Sequence, residues 1–276
     1  MSFIEAIILG LVQGLTEFLP ISSSAHLRIM GEFLPSAEDP GATFTAITQL
    51  GTETAVLIYF WKDITRVIGT WFRSFGNREL RGNPDVRLGW IIILGTIPIV
   101  LVGFFAQEHI REALRSLWIT AIVLIAFGIL LGLADQLGRR TKPLEQLSYR
   151  DGILVGFAQM LALIPGVSRS GASTSAGLAL GYTRPAAARF SFLLAVPAVF
   201  GSGLYELWHS FEEPAGVYGY AETAVATVVA FGVGLAVIAF LMRYISTRSF
   251  MPFVVYRLVL GTVLIVLLSI GVLQPL

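Results

Sequence analysis

The sequence predicts an all-α polytopic membrane protein of two inverted-topology repeats, each a re-entrant helical hairpin plus three transmembrane helices. Three observations predict it. The 276 residues are 55% hydrophobic and 13% charged, against about 25% charged in a soluble domain. Apolar segments of spanning length alternate with basic and acidic loops. The two halves resemble each other at an offset near 146 residues. No separate soluble domain fits, so residues 1–276 read as a single membrane domain, with repeats over about 1–140 and 147–276.

Six apolar segments have the length of a span: roughly 43–61, 88–106, 117–137, 186–208, 222–242 and 251–273. Each approaches the ~20 residues a spanning helix needs. Two others, 3–34 and 149–181, are apolar but broken near their middles by proline, glycine and serine. Their arms are short for full spans, and a hairpin that enters and leaves on one side fits better. Broken backbone persists at membrane depth only where protein or a water-filled cavity satisfies it. The first twenty residues lack a basic leader and contain Glu5 and Glu17, so they read as part of the mature fold.

The charges set the orientation. Lys62, Arg66, Arg73, Arg78, Arg81, Arg87, Arg139, Arg140, Lys142, Arg150, Arg184, Arg189, Arg243 and Arg248 fall in alternate loops and read as cytoplasmic. The other loops hold Arg111 and Arg115 with Glu38, Asp39, Glu108, Glu112, Glu206, Glu212, Glu213 and Glu222, and read as external. Both termini are then external. The tryptophans Trp61, Trp90, Trp118 and Trp208 read as an interface belt. Cysteine is absent, which excludes disulfides, thiolate metal sites and cysteine nucleophiles. The net charge of +1 says little about partners.

In the repeat, Gly10, Gln13 and Leu15 match Gly156, Gln159 and Leu161, Phe44 matches Phe190, and Tyr59 matches Tyr205. With one gap, Pro20 and Ser23 match Pro165 and Ser168. An odd number of spans per repeat inverts the second copy, and inverted repeats with broken helices place a site near the midplane where the breaks meet.

The polar residues gather at those breaks. Gln13 and Glu17 lie four apart on one face of the first arm. Pro20 ends that arm. Ser22, Ser23 and Ser24 can cap the next, with His26 in its first turn. In the second break Pro165-Gly166 stops one arm, Ser168 and Ser170 can cap, and Arg169 supplies a planar cation for phosphate oxygens. Two helix N-termini are anion sites. Intramembrane ionisable groups are costly and so are functional candidates. A carboxylate, hydroxyl, imidazole and guanidinium together suit phosphoryl transfer. Bland roles compete: serines that only bond backbone, a packing histidine, a snorkelling Arg28, or Glu17 and Arg169 as a structural ion pair. Glu53 and Arg257, both within spans, are expected to pair with each other or with the site.

Gln13-Gly14-Leu15-Thr16-Glu17-Phe18-Leu19-Pro20-Ile21-Ser22-Ser23-Ser24-Ala25-His26 resembles the first signature of bacterial undecaprenyl-diphosphate phosphatases of the bacitracin-resistance type. Pro165-Gly166-Val167-Ser168-Arg169-Ser170-Gly171 resembles the second. The likeness continues through Gln49-Leu50-Gly51 and Phe190-Ser191-Phe192-Leu193-Leu194-Ala195-Val196-Pro197. It implies hydrolysis of undecaprenyl diphosphate to undecaprenyl phosphate and phosphate, which recycles the carrier lipid for the cell wall and confers bacitracin resistance. It implies a multi-pass protein of the bacterial inner membrane with an externally facing site, a polyprenyl diphosphate as partner, and a divalent cation, Mg2+ or Ca2+. A homodimer is compatible with it, and nucleic acid is not expected.

The family's catalytic residues carry over onto Glu17, Ser23, His26 and Arg169, with Ser22, Ser24, Ser168, Ser170 and Gly171 around the phosphate. Gln13, Gln49, Glu53 and Arg257 form a second tier. The family's first acidic position is Gln13 here, and Ala25 stands where glycine is common. Gln13 cannot act as a base, which shifts weight onto Glu17 as base or metal ligand, and Glu53 is expected to restore the lost charge. Ser23 is the expected nucleophile; His26 and a metal-activated water are alternatives. A lipid flippase or transporter using the same anion site is the rival class, since broken inverted repeats also build carriers. A purely structural scaffold is disfavoured by the clustered charges.

Overall fold

The computed structural model describes residues 3–34, 41–114, 116–211 and 218–275, and only the backbone of residues 42 and 107–113. Glu38, Asp39, Arg115, Glu212 and Glu213, and the side chains of Glu108, Arg111 and Glu112, lie outside what is described. Among the described residues there are eleven α-helices and no strand. They are α1 (Phe3–Thr16), α2 (Ser23–Phe33), α3 (Ala42–Tyr59), α4 (Trp61–Gly76), α5 (Pro84–Ala113), α6 (Leu117–Leu137), α7 (Tyr149–Met160), α8 (Arg169–Ala179), α9 (Arg184–His209), α10 (Tyr220–Ile245) and α11 (Met251–Ser269).

Five of these, α5, α6, α9, α10 and α11, are long and apolar enough to cross a membrane. The sixth expected span, 43–61, forms α3 but is not among them. Its composition explains the difference. Thr43, Thr45, Thr48, Thr52, Thr54, Gln49 and Glu53 dilute its apolar content, and Thr48, Thr52 and Glu53 turn inward and are buried. The hydroxyls of Thr45, Thr48, Thr52 and Thr54 return to backbone carbonyls about one turn back, as Thr48 does to Phe44 at 2.7 Å, whereas Thr43 donates to Glu206 Oε2 at 3.1 Å. α3 packs between α9 and α10.

A second difference lies just after it. The charged stretch beyond Tyr59 is a helix, α4, and not a loop. Trp61, Ile68, Phe72 and Phe75 form one exposed apolar stripe along it, while Lys62, Arg66 and Arg73 occupy the other side. Arg66 reaches Asp85 of α5 at 3.0 Å, and Arg189 of α9 pairs with Asp63. These contacts fix α4 against the bundle.

The two broken segments become α1–α2 and α7–α8. α1 packs on α10, and α7 packs on α5, so each hairpin leans on a helix of the other half. Gly10 and Gly156 explain their own match: a Cβ at either would overlap the carbonyl oxygen of Ala226 or Gly95 on the crossing helix. The breaks also correspond without the expected gap. Ser22 and Ser168, 146 apart, are the N-caps, with φ of 75° and 70°. Each Oγ accepts from the amide three residues on, Ala25 at 3.4 Å and Gly171 at 3.2 Å. Each also meets the hydroxyl two residues on, Ser24 at 3.1 Å and Ser170 at 3.2 Å. Ser23 therefore corresponds to Arg169, not to Ser168.

Elsewhere, polar clamps hold the helix ends. Asp135, buried at the end of α6, accepts from Arg184 Nε at 2.5 Å and from the Phe250 amide at 3.0 Å, tying the starts of α9 and α11 together. Asp151, in the first turn of α7, accepts from the Tyr182 hydroxyl at 2.7 Å and pairs with Lys142 at 3.4 Å.

Candidate active site

The site begins with two chain breaks that must satisfy their own backbone. Arg257, on α11 and fully buried, does most of this. Its Nε donates to Leu124 O at 3.0 Å, Nη1 to Pro20 O and Val167 O at 3.1 Å each, and Nη2 to Gly166 O at 2.8 Å. One guanidinium thus joins both breaks to α6. Ser170 Oγ adds a second link, donating to Leu19 O at 3.3 Å and Glu17 O at 3.4 Å. Arg257 does not pair with Glu53; it meets the site instead through the backbone carbonyls of both breaks, where the interrupted helices leave acceptors without helical donors.

With the breaks joined, Glu17 and Arg169 face each other. Arg169 Nη2 pairs with Glu17 Oε1 and with Glu53 Oε1, the latter at 2.8 Å. Glu17 Oε2 accepts from Ser23 Oγ at 2.6 Å and from Gln13 Nε2 at 2.8 Å. Glu17, Glu53 and Gln13 are buried, and Ser23 and Arg169 are partly open. The cleft beside them is lined by Glu17, Phe18, Glu53, Arg169, Ser170, Ser191, Phe192 and Ala195 and has a volume of about 10 Å3. That is about the space of one water, too small for a phosphate in this arrangement of side chains.

Among the described residues His26 makes no hydrogen bond to this pair. Its Nδ1 is 2.7 Å from Ser22 O, and its Nε2 is 2.6 Å from the Tyr256 hydroxyl. A carbonyl can only accept, so Nδ1 carries a hydrogen; when the ring is neutral, Nε2 then accepts from the Tyr256 hydroxyl. Ser24 is exposed and touches Ser22. Ser168, Ser170 and Gly171 build the cap of α8 and the link to the first break, so the Gly171 amide is already engaged. Among the described residues no side-chain hydrogen bond joins Gln49, one turn before Glu53 on α3, to this group.

Sequence reasoning missed Tyr256 and Ser191. Tyr256 sits beside Arg257 in the sequence, but a tyrosine on an apolar helix carries no signal of its own. Ser191 lies in the Phe190–Pro197 stretch and bonds Ser173 Oγ at 2.5 Å. Ser173 also donates to Arg169 O at 2.6 Å, a backbone role.

The described side chains form a hydroxyl beside a carboxylate, with a guanidinium across a buried cleft. Residues 6–263 match the model of the family described as bacitracin resistance protein BacA. The chain belongs to the BacA family. A protein of Micrococcus luteus named undecaprenyl-diphosphatase is 66% identical over 276 residues, covering 99% of this chain and 100% of its own. Those of Paenarthrobacter aurescens, 60% identical over 99% and 100% of the two chains, and Clavibacter michiganensis, 65% over 98% and 98%, carry the same name. Within the BacA family, then, this chain matches its relatives from end to end, and both breaks lie inside the matched region.

Proposed function

We propose that this chain is an integral membrane phosphatase that hydrolyses undecaprenyl diphosphate to undecaprenyl phosphate and phosphate, recycling the carrier lipid of wall synthesis and conferring bacitracin resistance. The observation that carries the reading is the 2.6 Å hydrogen bond from Ser23 Oγ to Glu17 Oε2 beside Arg169. It is a nucleophile held by its base, opposite a phosphate clamp.

Ser23 Oγ attacks the terminal phosphorus in line as Glu17 takes its proton. The bond from that phosphorus to the bridging oxygen breaks, and undecaprenyl phosphate leaves. Water then attacks the phosphoserine and regenerates Ser23. Arg169, drawn from its carboxylates, carries the charge on the equatorial oxygens. His26 is tied to Ser22 O and Tyr256, which favours Ser23 as the nucleophile and leaves His26 to assist the leaving group or the later water. A divalent cation, Mg2+ or Ca2+, fits the donor set, since Glu17 and its neighbours offer hard oxygen atoms. Bound there, it would neutralise developing phosphate charge.

In the membrane, α1–α2 and α7–α8 act as re-entrant hairpins of inverted repeats. The matched caps at Ser22 and Ser168 support that symmetry. The chain sits in the bacterial inner membrane with its termini and the mouth of the site external, and α4 lies in the cytoplasmic interface with its apolar stripe toward lipid. The prenyl tail runs between helices. The test is phosphate release from undecaprenyl diphosphate by detergent-purified protein. Wild type should turn over and Ser23→Ala, equally folded, should not. A folded wild type without turnover under any metal condition, but with lipid flux in liposomes, would replace the enzyme with a carrier.

A further inference from the structure

We propose that Glu53 is the second carboxylate of a divalent-cation site shared with Glu17 and the amide oxygen of Gln13, and that Arg169 stands in for the cation until phosphate draws it away. The proposal rests on the phosphatase reading of the cleft. Glu53 lies in the middle of α3 and is 1% exposed. Its Oε1 accepts from Arg169 Nη2 at 2.8 Å, and its Oε2 is buried with no hydrogen-bond partner among the described residues. Gln13 spends its Nε2 on Glu17, and its Oε1 is likewise buried without a partner. Two unsatisfied oxygen atoms therefore border the same Glu17–Arg169 pair. Buried acceptors left this way cost about 1–3 kcal/mol each, so a site that retains them has a use for them.

The charge count points the same way. One guanidinium serves two buried carboxylates, and both reach the same nitrogen, so no more than two hydrogen-bond lengths separate them. When Arg169 turns to a phosphate it leaves two like charges together in a low-dielectric cleft, and that is strongly unfavourable unless another cation replaces it. A divalent ion balances two carboxylates. The donors are carboxylate and amide oxygens, which suit Mg2+ or Ca2+ rather than a soft metal. Among the described residues no group of three or more acidic or histidine side chains forms a metal cluster. Two carboxylates suffice for Mg2+, which commonly takes one or two and completes its shell with substrate phosphate and water. Cation and phosphate then bind together, each freeing the partner that the other needs.

The experiment titrates Mg2+ and Ca2+ into detergent-purified full chain by calorimetry, with and without a non-hydrolysable short-chain prenyl methylenediphosphonate. The diphosphonate should tighten cation binding in the wild type. Glu53→Gln should weaken it by at least about tenfold, and adding Gln13→Glu to that variant should restore it, whereas a structural Glu53 would not be rescued from Gln13. Arg169→Gln should tighten Mg2+ binding in the absence of diphosphonate, because it removes the stand-in. If Glu53→Gln fails to fold, Glu53→Asp, which keeps the charge, carries the comparison and should retain binding. Wild-type affinity in Glu53→Gln, or no tightening in Arg169→Gln, overturns the proposal while phosphatase activity stands. Cation binding that depends on Glu53 in a wild type that releases no phosphate upholds the site and refutes the phosphatase reading instead.

Discussion

Arg257 gives the sharpest test of how the site is held. Arg257→Met keeps a long apolar side chain on α11 and removes all four hydrogen bonds to Leu124, Pro20, Val167 and Gly166. Polar interhelical bonds in membranes average about 0.6 kcal/mol, and hydrogen bonds to a charged donor start near 1.5 kcal/mol, which brackets the loss at about 2–6 kcal/mol. Removing a buried cation returns part of its desolvation cost, so the lower half of that range is expected. At roughly 2–4 °C per kcal/mol for a chain of this size, the detergent melting temperature should fall by roughly 4–16 °C. Turnover should fall further than stability at a temperature where both proteins are folded. Three of the four carbonyls belong to the breaks, and releasing them separates Ser23 from Arg169. Arg257→Lys should recover little, because one ammonium cannot reach carbonyls spread over three segments. An Arg257→Met protein with wild-type melting and wild-type turnover would refute the claim that this side chain joins the breaks.

Other outcomes follow from the same contacts. Ser23→Ala should lower phosphate release at least about 10^3-fold with little change in melting temperature, since among the described residues its Oγ bonds only Glu17. Tyr256→Phe removes one hydrogen bond from His26 Nε2 and should lower kcat by about fivefold, the rate equivalent of roughly 1 kcal/mol, with an unchanged melting temperature. Burial pushes the Asp151 carboxyl up, but the Tyr182 hydroxyl and Lys142 ammonium outweigh it and hold it below the usual carboxylate range. Its contribution to stability is therefore full above its unfolded pKa of about 4 and is lost as pH falls through the lower folded value. A melting curve against pH should show that acid loss in wild type and a smaller one in Asp151→Asn.

The breaks were legible because proline, glycine and serine interrupt apolar runs where nothing else would, and because capping chemistry is local. Ser22 and Ser168 cap as their positions suggest. The register between the breaks was not legible: Pro20 and Pro165 align by identity, but the caps align by geometry, one residue away. Glu17, Ser23 and Arg169 meet as the motif implies, whereas His26 is held by Tyr256 from a helix 230 residues on, a contact no local pattern encodes. Glu53 stood out as a charge in an apolar segment, and its partner followed from the packing of α3. α4 is not legible from hydropathy because Lys62, Asp63, Arg66 and Arg73 interrupt its apolar residues, whose stripe is visible only at helical spacing. α3 read as a span for the opposite reason, since its hydrophobic residues conceal an inward polar face.

The measurement that bears most directly on the central claim, that Ser23 and Glu17 act as one unit, is a double-mutant cycle on phosphate release from undecaprenyl diphosphate. Ser23→Ala, Glu17→Gln and the double variant would be compared with wild type in folded, purified protein. If the carboxylate activates the hydroxyl it bonds, the double variant should be no slower than the slower single variant. Losses that multiply, or a Ser23→Ala protein that retains turnover, would contradict the account and move the chemistry to another nucleophile.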